Sequence, residues 1–220
     1  MANLADCVNV AVADDHPIVV LAICDALAAV RSFNVMATAA TGTELLRATE
    51  SGAVQLIVTD LVMHSKDPDD DGLKLVQRLR RQRPEARIVV FTMTTNRGVL
   101  HQLCRLGVAA IVGKDEDVSV LARICMRALV EKETILSSTI TRSLSMAGKT
   151  QRDLHRAQPL SPRETEVVRL IANGMSLTEI ARKLNRSKAT VATQKYSAMR
   201  KLHFDNGADL VRFASEFGLS

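Results

Sequence analysis

Apolar runs of five or six residues recur four times along the first half of the chain: VNVAVA at 8–13, VQLIVT at 54–59, RIVVFT at 87–92 and AAIVG at 109–113. Each is rich in β-branched residues, too short for a helix, and bounded by polar residues or glycine, the pattern of a strand buried on both faces. FNVMATA at 33–39 alternates less cleanly and reads as an edge strand. The stretches between carry helical spacing: Ile18, Leu21, Ala22, Leu27 and Val30; Leu45, Leu46 and Thr49; Leu73, Val76 and Leu79; Val99, Leu103 and Leu106; Val120, Leu121, Ile124, Ala128 and Leu129. Strand and helix alternating in this way predict an α/β domain, a parallel sheet covered by helices on both faces that takes ligands at the carboxyl ends of its strands.

The residues at those ends are polar. Asp14 and Asp15 follow the first run, Asp60 follows the second, Thr92 closes the third and Lys114 follows the fourth. Crowded carboxylates repel one another unless a hard cation neutralises them, and magnesium takes oxygen ligands. An ionised aspartate beside such a cation can attack phosphorus. The acidic run Asp67, Asp69, Asp70 and Asp71 lies close enough in sequence to reach the pocket's rim.

ADDHP at 13–17, TDLVM at 59–63, FTM at 91–93 and VGK at 112–114 resemble the receiver domain of two-component response regulators over roughly residues 8–131. The resemblance implies a flavodoxin-like fold whose five parallel strands run in the order 2-1-3-4-5. It implies Asp60 as phosphoacceptor and Mg2+ as cofactor, held directly by Asp15, Asp60 and the carbonyl of Val62, with Asp14 acting through water. Lys114 would neutralise the phosphoryl charge and Thr92 would hydrogen-bond to it. The output face would be the fourth helix, fifth strand and fifth helix, with Arg97, Leu100, Leu103, Arg105, Asp115 and Arg123. Two residues depart from the family pattern: Ile111 stands where an aromatic is common, which argues against a ring-rotation readout, and His64 replaces a usual proline before a long loop. Asp67, Asp69, Asp71 and Gly72 also mimic the start of a calcium loop, but Arg78 occupies the position that requires a glutamate. His16 and Pro17 read as the entry to the first helix, and the resemblance implies that His16 also lines the pocket edge.

Charge divides the chain. Residues 1–145 hold 16 Lys/Arg against 17 Asp/Glu, and residues 146–220 hold 13 against 7. A basic C-terminal third points to a polyanionic partner, nucleic acid before membrane, because the chain has no apolar run of roughly 18 residues. The expected division is a receiver at 1–135, a linker with a short helix at 136–159 and an all-α four-helix domain at 160–220. Ile140 and Leu144 set the linker helix, and 147–159 is expected to be flexible. Ser161, Pro162 and Glu164 form a helix start, and Ser187 caps a later helix running to Leu202.

The stretch LSPRETEVVRLIANGMSLTEIARKLNRSKATVATQKYSAMRKL resembles the helix-turn-helix DNA-binding domain of NarL/LuxR-class transcription regulators over residues 160–218. Val191, Ser197, Ala198 and Leu202 would face the core, leaving Lys188, Ala192, Thr193, Lys195, Tyr196, Met199 and Arg200 outside. By this resemblance Ala192, Thr193 and Tyr196 reach base edges, and Arg186, Lys188, Thr190, Gln194, Lys195 and Arg200 contact phosphates.

Cys7, Cys24, Cys104 and Cys125 form no C-x-x-C pair and read as reduced packing residues, and no signal peptide is evident, so a cytoplasmic location is expected. The leading expectation is a non-enzymatic, phosphorylation-regulated transcription factor. Its expected partners are promoter DNA, a histidine kinase or phosphotransfer protein, and a second copy or an auxiliary regulator as dimer partner. Two alternatives stand beside it: a DNA binder whose receiver is a protein-docking module without phosphoryl chemistry, and a metal-dependent phosphohydrolase, which would leave the basic domain unexplained.

Overall fold

The computed structural model describes residues 7–63, 70–145, 160–202, 204 and 207–216. The expected strands are present as β1 (Val8–Ala13), β2 (Phe33–Ala39), β3 (Leu56–Thr59), β4 (Arg87–Thr92) and β5 (Ala110–Gly113). All neighbouring pairs are parallel, and the order 2-1-3-4-5 is as expected. The five-strand count needs correction, because a sixth strand, β6 (Ile135–Leu136), pairs with β5 and extends the sheet. Two residues carry no readable periodicity, so nothing local in the sequence announces this strand.

Helices α1 (Pro17–Ala28), α2 (Gly42–Ala48), α3 (Gly72–Gln82), α4 (Arg97–Arg105) and α5 (Val118–Ala128) connect the strands. Alternate strand residues serve opposite faces. Val10, Val12, Leu56, Val58, Val89, Phe91, Ala110 and Val112 pack with Ile23 and Leu27 of α1 and Leu121, Ile124 and Cys125 of α5. Ala11, Ala13, Ile57, Ile88, Val90 and Ile111 pack with residues of α2, α3 and α4. Helix α1 buries only part of the set its spacing suggested: Leu27 faces the sheet as expected, but Ile18 and Leu21 are exposed and Ile23, outside that set, is buried in their place. Its sequence, PIVVLAICDALA, is apolar nearly all round, so periodicity cannot select the inward face.

Helix α6 (Ser138–Ser145) is the expected linker helix, and it packs on the receiver, with Ile140 and Leu144 buried in the same cluster as Ile111. The backbone of Ser137 donates to Ile111 O, and Glu116 accepts from both Ser138 Oγ and the Thr139 backbone. The stretch expected to be flexible, 147–159, lies outside the described residues.

The C-terminal helices are α7 (Pro162–Ala172), α8 (Leu177–Lys183), α9 (Lys188–Leu202) and α10 (Gly207–Glu216). Capping boxes start α7 at Ser161/Glu164 and α8 at Ser176/Glu179. Val167, Leu170, Ile180, Ala181 and Val191 form one cluster of this bundle. Its other buried residues, including Met199, Leu202, Phe204 and Phe213, are continuous with the receiver core through α4. Gly98 makes the approach possible, since a Cβ there would lie 2.8 Å from the Phe204 ring and 3.0 Å from Leu202 O. Met199, expected outside, is therefore buried, as are Leu100 and Leu103 of the expected output face.

Candidate metal-binding pocket and nucleic-acid interface

Backbone hydrogen bonds between strand ends bring the pocket together. Asp14 N donates to Ala39 O and Asp60 N to Ala13 O, which ties the ends of β1, β2 and β3, Lys114 N donates to Thr92 O between β4 and β5, and the β3–β4 ladder pairs Thr59 with Val90. Lys114 Nζ lies 2.6 Å from Asp14 Oδ2 and 2.6 Å from Asp60 Oδ2. Asp14 and Asp60 are buried, and Asp15 is partly exposed and pairs through Oδ1 with His16 Nδ1 at 2.6 Å. Ligand atoms of Asp14, Asp15 and His16 lie within 4.8 Å of one another. His16 thus touches the acidic pair as well as preceding α1.

Burial pushes the Asp60 carboxyl above its ordinary range, although Lys114 and the Leu61 amide pull it the other way. Burial works to lower the Lys114 pKa, and the two carboxylates outweigh it, so the amine is held above its usual value. The donor set suits a divalent cation: Asp14 and Asp60 share one lysine and Asp15 stands beside Asp14 against His16, so the acids outnumber the lysine and their hard oxygens could share an ion. The side chains whose ligand atoms already lie together are Asp14, Asp15 and His16, and Asp60 stands on the far side of Lys114 from Asp14. Val62 is fixed on both sides, since Leu61 O accepts from Gly72 N and Met63 N donates to Asp71 Oδ1 at 3.0 Å.

Asp71 also accepts from Gly72 N as the N-cap of α3. Asp70 accepts from Thr43 Oγ1 at 2.6 Å and pairs with Arg78, the residue that spoiled the calcium pattern. These two acids brace the loop end rather than the pocket rim, while His64, Asp67 and Asp69 lie outside the described residues. Thr92 is buried at the end of β4, and its Oγ1 accepts from Thr94 N. Thr94 Oγ1 accepts from Asn96 N, and Asn96 Oδ1 accepts from Val99 N as the cap of α4. Three side-chain links therefore run from the pocket to the helix that touches Phe204.

In the second domain α8 and α9 are joined by a turn with Asn185 at φ 50°, the left-handed region tolerated by asparagine. Ser187 Oγ caps α9 at Thr190 N. Of the expected DNA contacts, Lys188, Thr190, Thr193, Tyr196 and Arg200 are exposed, and Arg186, Ala192, Gln194 and Lys195 are partly so. Thr193 spends its proton on Ala189 O. Arg186 is held within the fold, donating to Gln194 Oε1 at 3.2 Å and to Glu166 Oε2 at 3.3 Å. Glu166 was absent from the sequence expectation, and only long-range packing places it at the turn. Lys201 is withdrawn from the surface by Glu164, 2.7 Å away.

The chain matches the family model described as the response regulator receiver domain over residues 10–125, and that of bacterial regulatory proteins of the luxR family over 158–214. It is 34% identical over 212 residues to the transcriptional regulatory protein RcsB of Escherichia coli, covering 96% of each chain. RcsB of Salmonella enterica serovar Typhimurium, solved bound to promoter P1flhDC in the presence of the phosphomimetic BeF3-, superposes with TM-score 0.76 at 34% identity, covering 96% of this chain and 99% of that one. A structure of two RcsB dimers bound to two parallel DNAs gives TM-score 0.71 at 34% identity, covering 95% and 98%.

Proposed function

The chain belongs to the response regulators that join a receiver domain to a luxR-family DNA-binding domain, and from that membership we propose a phosphorylation-controlled transcription regulator that binds promoter DNA as a dimer. The observation that carries the receiver half is Lys114 seated between Asp14 and Asp60 at 2.6 Å from each. An Asp60 oxygen attacks phosphorus on a phosphohistidine of the partner kinase or phosphotransfer protein. The new O–P bond forms as the N–P bond breaks, and the leaving imidazole takes up a proton. Lys114 then exchanges part of its contact with Asp60 for a phosphoryl oxygen, and Thr92 turns its hydroxyl toward the same group. A bound Mg2+ would supply charge neutralisation, held by Asp15, Asp60 and Val62 with Asp14 through water.

The added charge of roughly −2 reaches the second domain through Thr92, Thr94 and Asn96. If Thr92 turns toward the phosphoryl group, its link to Thr94 N loosens and the start of α4 shifts against Phe204. This route needs no aromatic at position 111. For the dimer, the exposed apolar residues Ile18 and Leu21 of α1 with Met126 of α5 favour those neighbouring helices over α4, whose Leu100 and Leu103 are buried. On DNA, α9 enters the major groove with Ala192, Thr193 and Tyr196 toward bases, and with Lys188, Thr190, Lys195 and Arg200 toward phosphates. No helix among the described residues is long and apolar enough to cross a membrane.

Incubation with magnesium and a small-molecule phosphodonor, followed by intact mass measurement, tests the phosphoacceptor. One added phosphoryl group on the native chain and none on Asp60→Ala supports the reading. No gain on the native chain would favour the second reading, a receiver that only docks proteins. That reading draws on Ile111, which is buried against β6 and α6.

A further inference from the structure

The turn before α9 holds a three-residue network that no part of the phosphoryl chemistry uses. Arg186 bridges Glu166 of α7 and Gln194 of α9, at 3.3 Å and 3.2 Å. Its backbone is fixed too, because Arg186 N donates to Ala181 O at 2.9 Å after the left-handed residue Asn185. The arginine side chain is only 25% exposed, so the guanidinium belongs to the fold as much as to the surface.

A guanidinium has donors and no acceptor, so the Gln194 atom facing it must be the amide oxygen. The NH2 group of Gln194 is then the end left to face outward. The usual glutamine contact with adenine is bidentate, with the oxygen accepting from N6 while the nitrogen donates to N7. An oxygen turned back toward Arg186 cannot lie beside the nitrogen on the same base edge. Guanine presents two acceptors, N7 and O6, which suit an outward NH2.

We propose that Glu166 is a positioning residue for DNA recognition: through Arg186 it fixes Gln194 as a hydrogen-bond donor, so that Gln194 selects guanine over adenine at the base it meets. This refines the α9 reading above and rests on it. It replaces the expectation that Arg186 and Gln194 serve mainly as phosphate contacts. It also takes Arg186 out of the set of free cations, since its charge already faces a carboxylate.

The test is selection from a randomised duplex pool by the full-length chain and its variants. Gln194→Ala identifies the position read by Gln194 as the one whose preference relaxes. At that position the native chain should prefer guanine, and Arg186→Met should lower the guanine-to-adenine ratio by about fivefold, within the range of one base contact. Glu166→Ala should act in the same direction. Glu166→Gln, which still offers an oxygen to Arg186, should keep the preference. Melting followed by circular dichroism confirms that each variant folds, and Glu166→Ala carries the test if Arg186→Met does not fold. Native preference for adenine at that position, relaxation nowhere in Gln194→Ala, or an unchanged ratio in the folded variants would each overturn the proposal while leaving DNA binding intact. Failure of the native chain to retain any duplex would remove the DNA-binding reading itself, and the proposal with it.

Discussion

Replacing Lys114 by methionine keeps an apolar stem of similar length and strips the cation from between two carboxylates. The lysine side chain is 11% exposed, and those of Asp14 and Asp60 are 0% and 10% exposed, so solvent screens little of the interaction. Breaking a buried pair by removing one partner costs about 3–5 kcal/mol. Asp60 can relieve part of this by taking up a proton, since burial already raises its pKa, so the lower end, about 3 kcal/mol, is expected at neutral pH. The stabilisation that Lys114 provides is fully present below its unfolded pKa near 10.5 and is lost as pH rises through the higher folded value. Native chain and variant should therefore converge as pH rises into alkali. Asp60, with a raised folded value, costs stability when ionised, so the variant should regain stability as pH falls from neutrality through the Asp60 titration. Magnesium should also rescue the variant more than the native chain. A cation at 100 times its dissociation constant adds about 2.7 kcal/mol, and the variant's uncompensated acids should bind it at least about tenfold more tightly. Urea unfolding with chelator and across a magnesium series measures all of this. A loss below about 1 kcal/mol in chelator, or identical magnesium dependence in both proteins, would refute the reasoning.

The contact between the two halves can be tested at Gly98. Gly98→Val places atoms inside the Phe204 ring's contact distance, an overpacking that costs about 2 kcal/mol and should shift the docked arrangement about thirtyfold toward separation. Small-angle scattering should report a larger radius of gyration, and an unchanged one would contradict the packing account. Glu164 has its carboxyl held down to about 2: burial opposes ionisation, but Lys201 and the Ser161 amide win. Its stabilisation is present above the ordinary value of 4.5 and lost as pH falls from there through about 2. Discounted for its place at a helix end, it amounts to about 2 kcal/mol. Melting of the C-terminal domain should fall over that window in the native chain and stay flatter in Glu164→Gln, and parallel curves would count against the ion pair.

The pocket was legible because strands buried on both faces permit polar residues only where they end. Asp14, Asp60, Thr92 and Lys114 follow from that rule; Lys114 meets both acids, and Thr92 joins them through its backbone carbonyl. What failed to show in the sequence depended on distant partners. Leu100, Leu103 and Met199 have the spacing of exposed and buried positions alike, and only the approach of α4 to the end of α9 settles which they are. Glu166 looks like any surface acid until the fold carries it to Arg186, and Asp71 looked like part of an acidic rim until its caps at Gly72 and Met63 were seen. The outward Ile18 and Leu21 show the limit of periodicity on a helix with no polar face.

The pairing of β6 with β5 bears on how the chain is made. During synthesis the fifth strand emerges with its outer edge unpaired, and exposed edges of this kind invite contact with other chains. That edge closes only when Ile135 and Leu136 have left the ribosome, and Ile140 and Leu144 then cover Ile111. The sheet is thus completed by a strand that straddles the start of the connection between the two halves, so its last step waits for the tether and not for the helices beyond it.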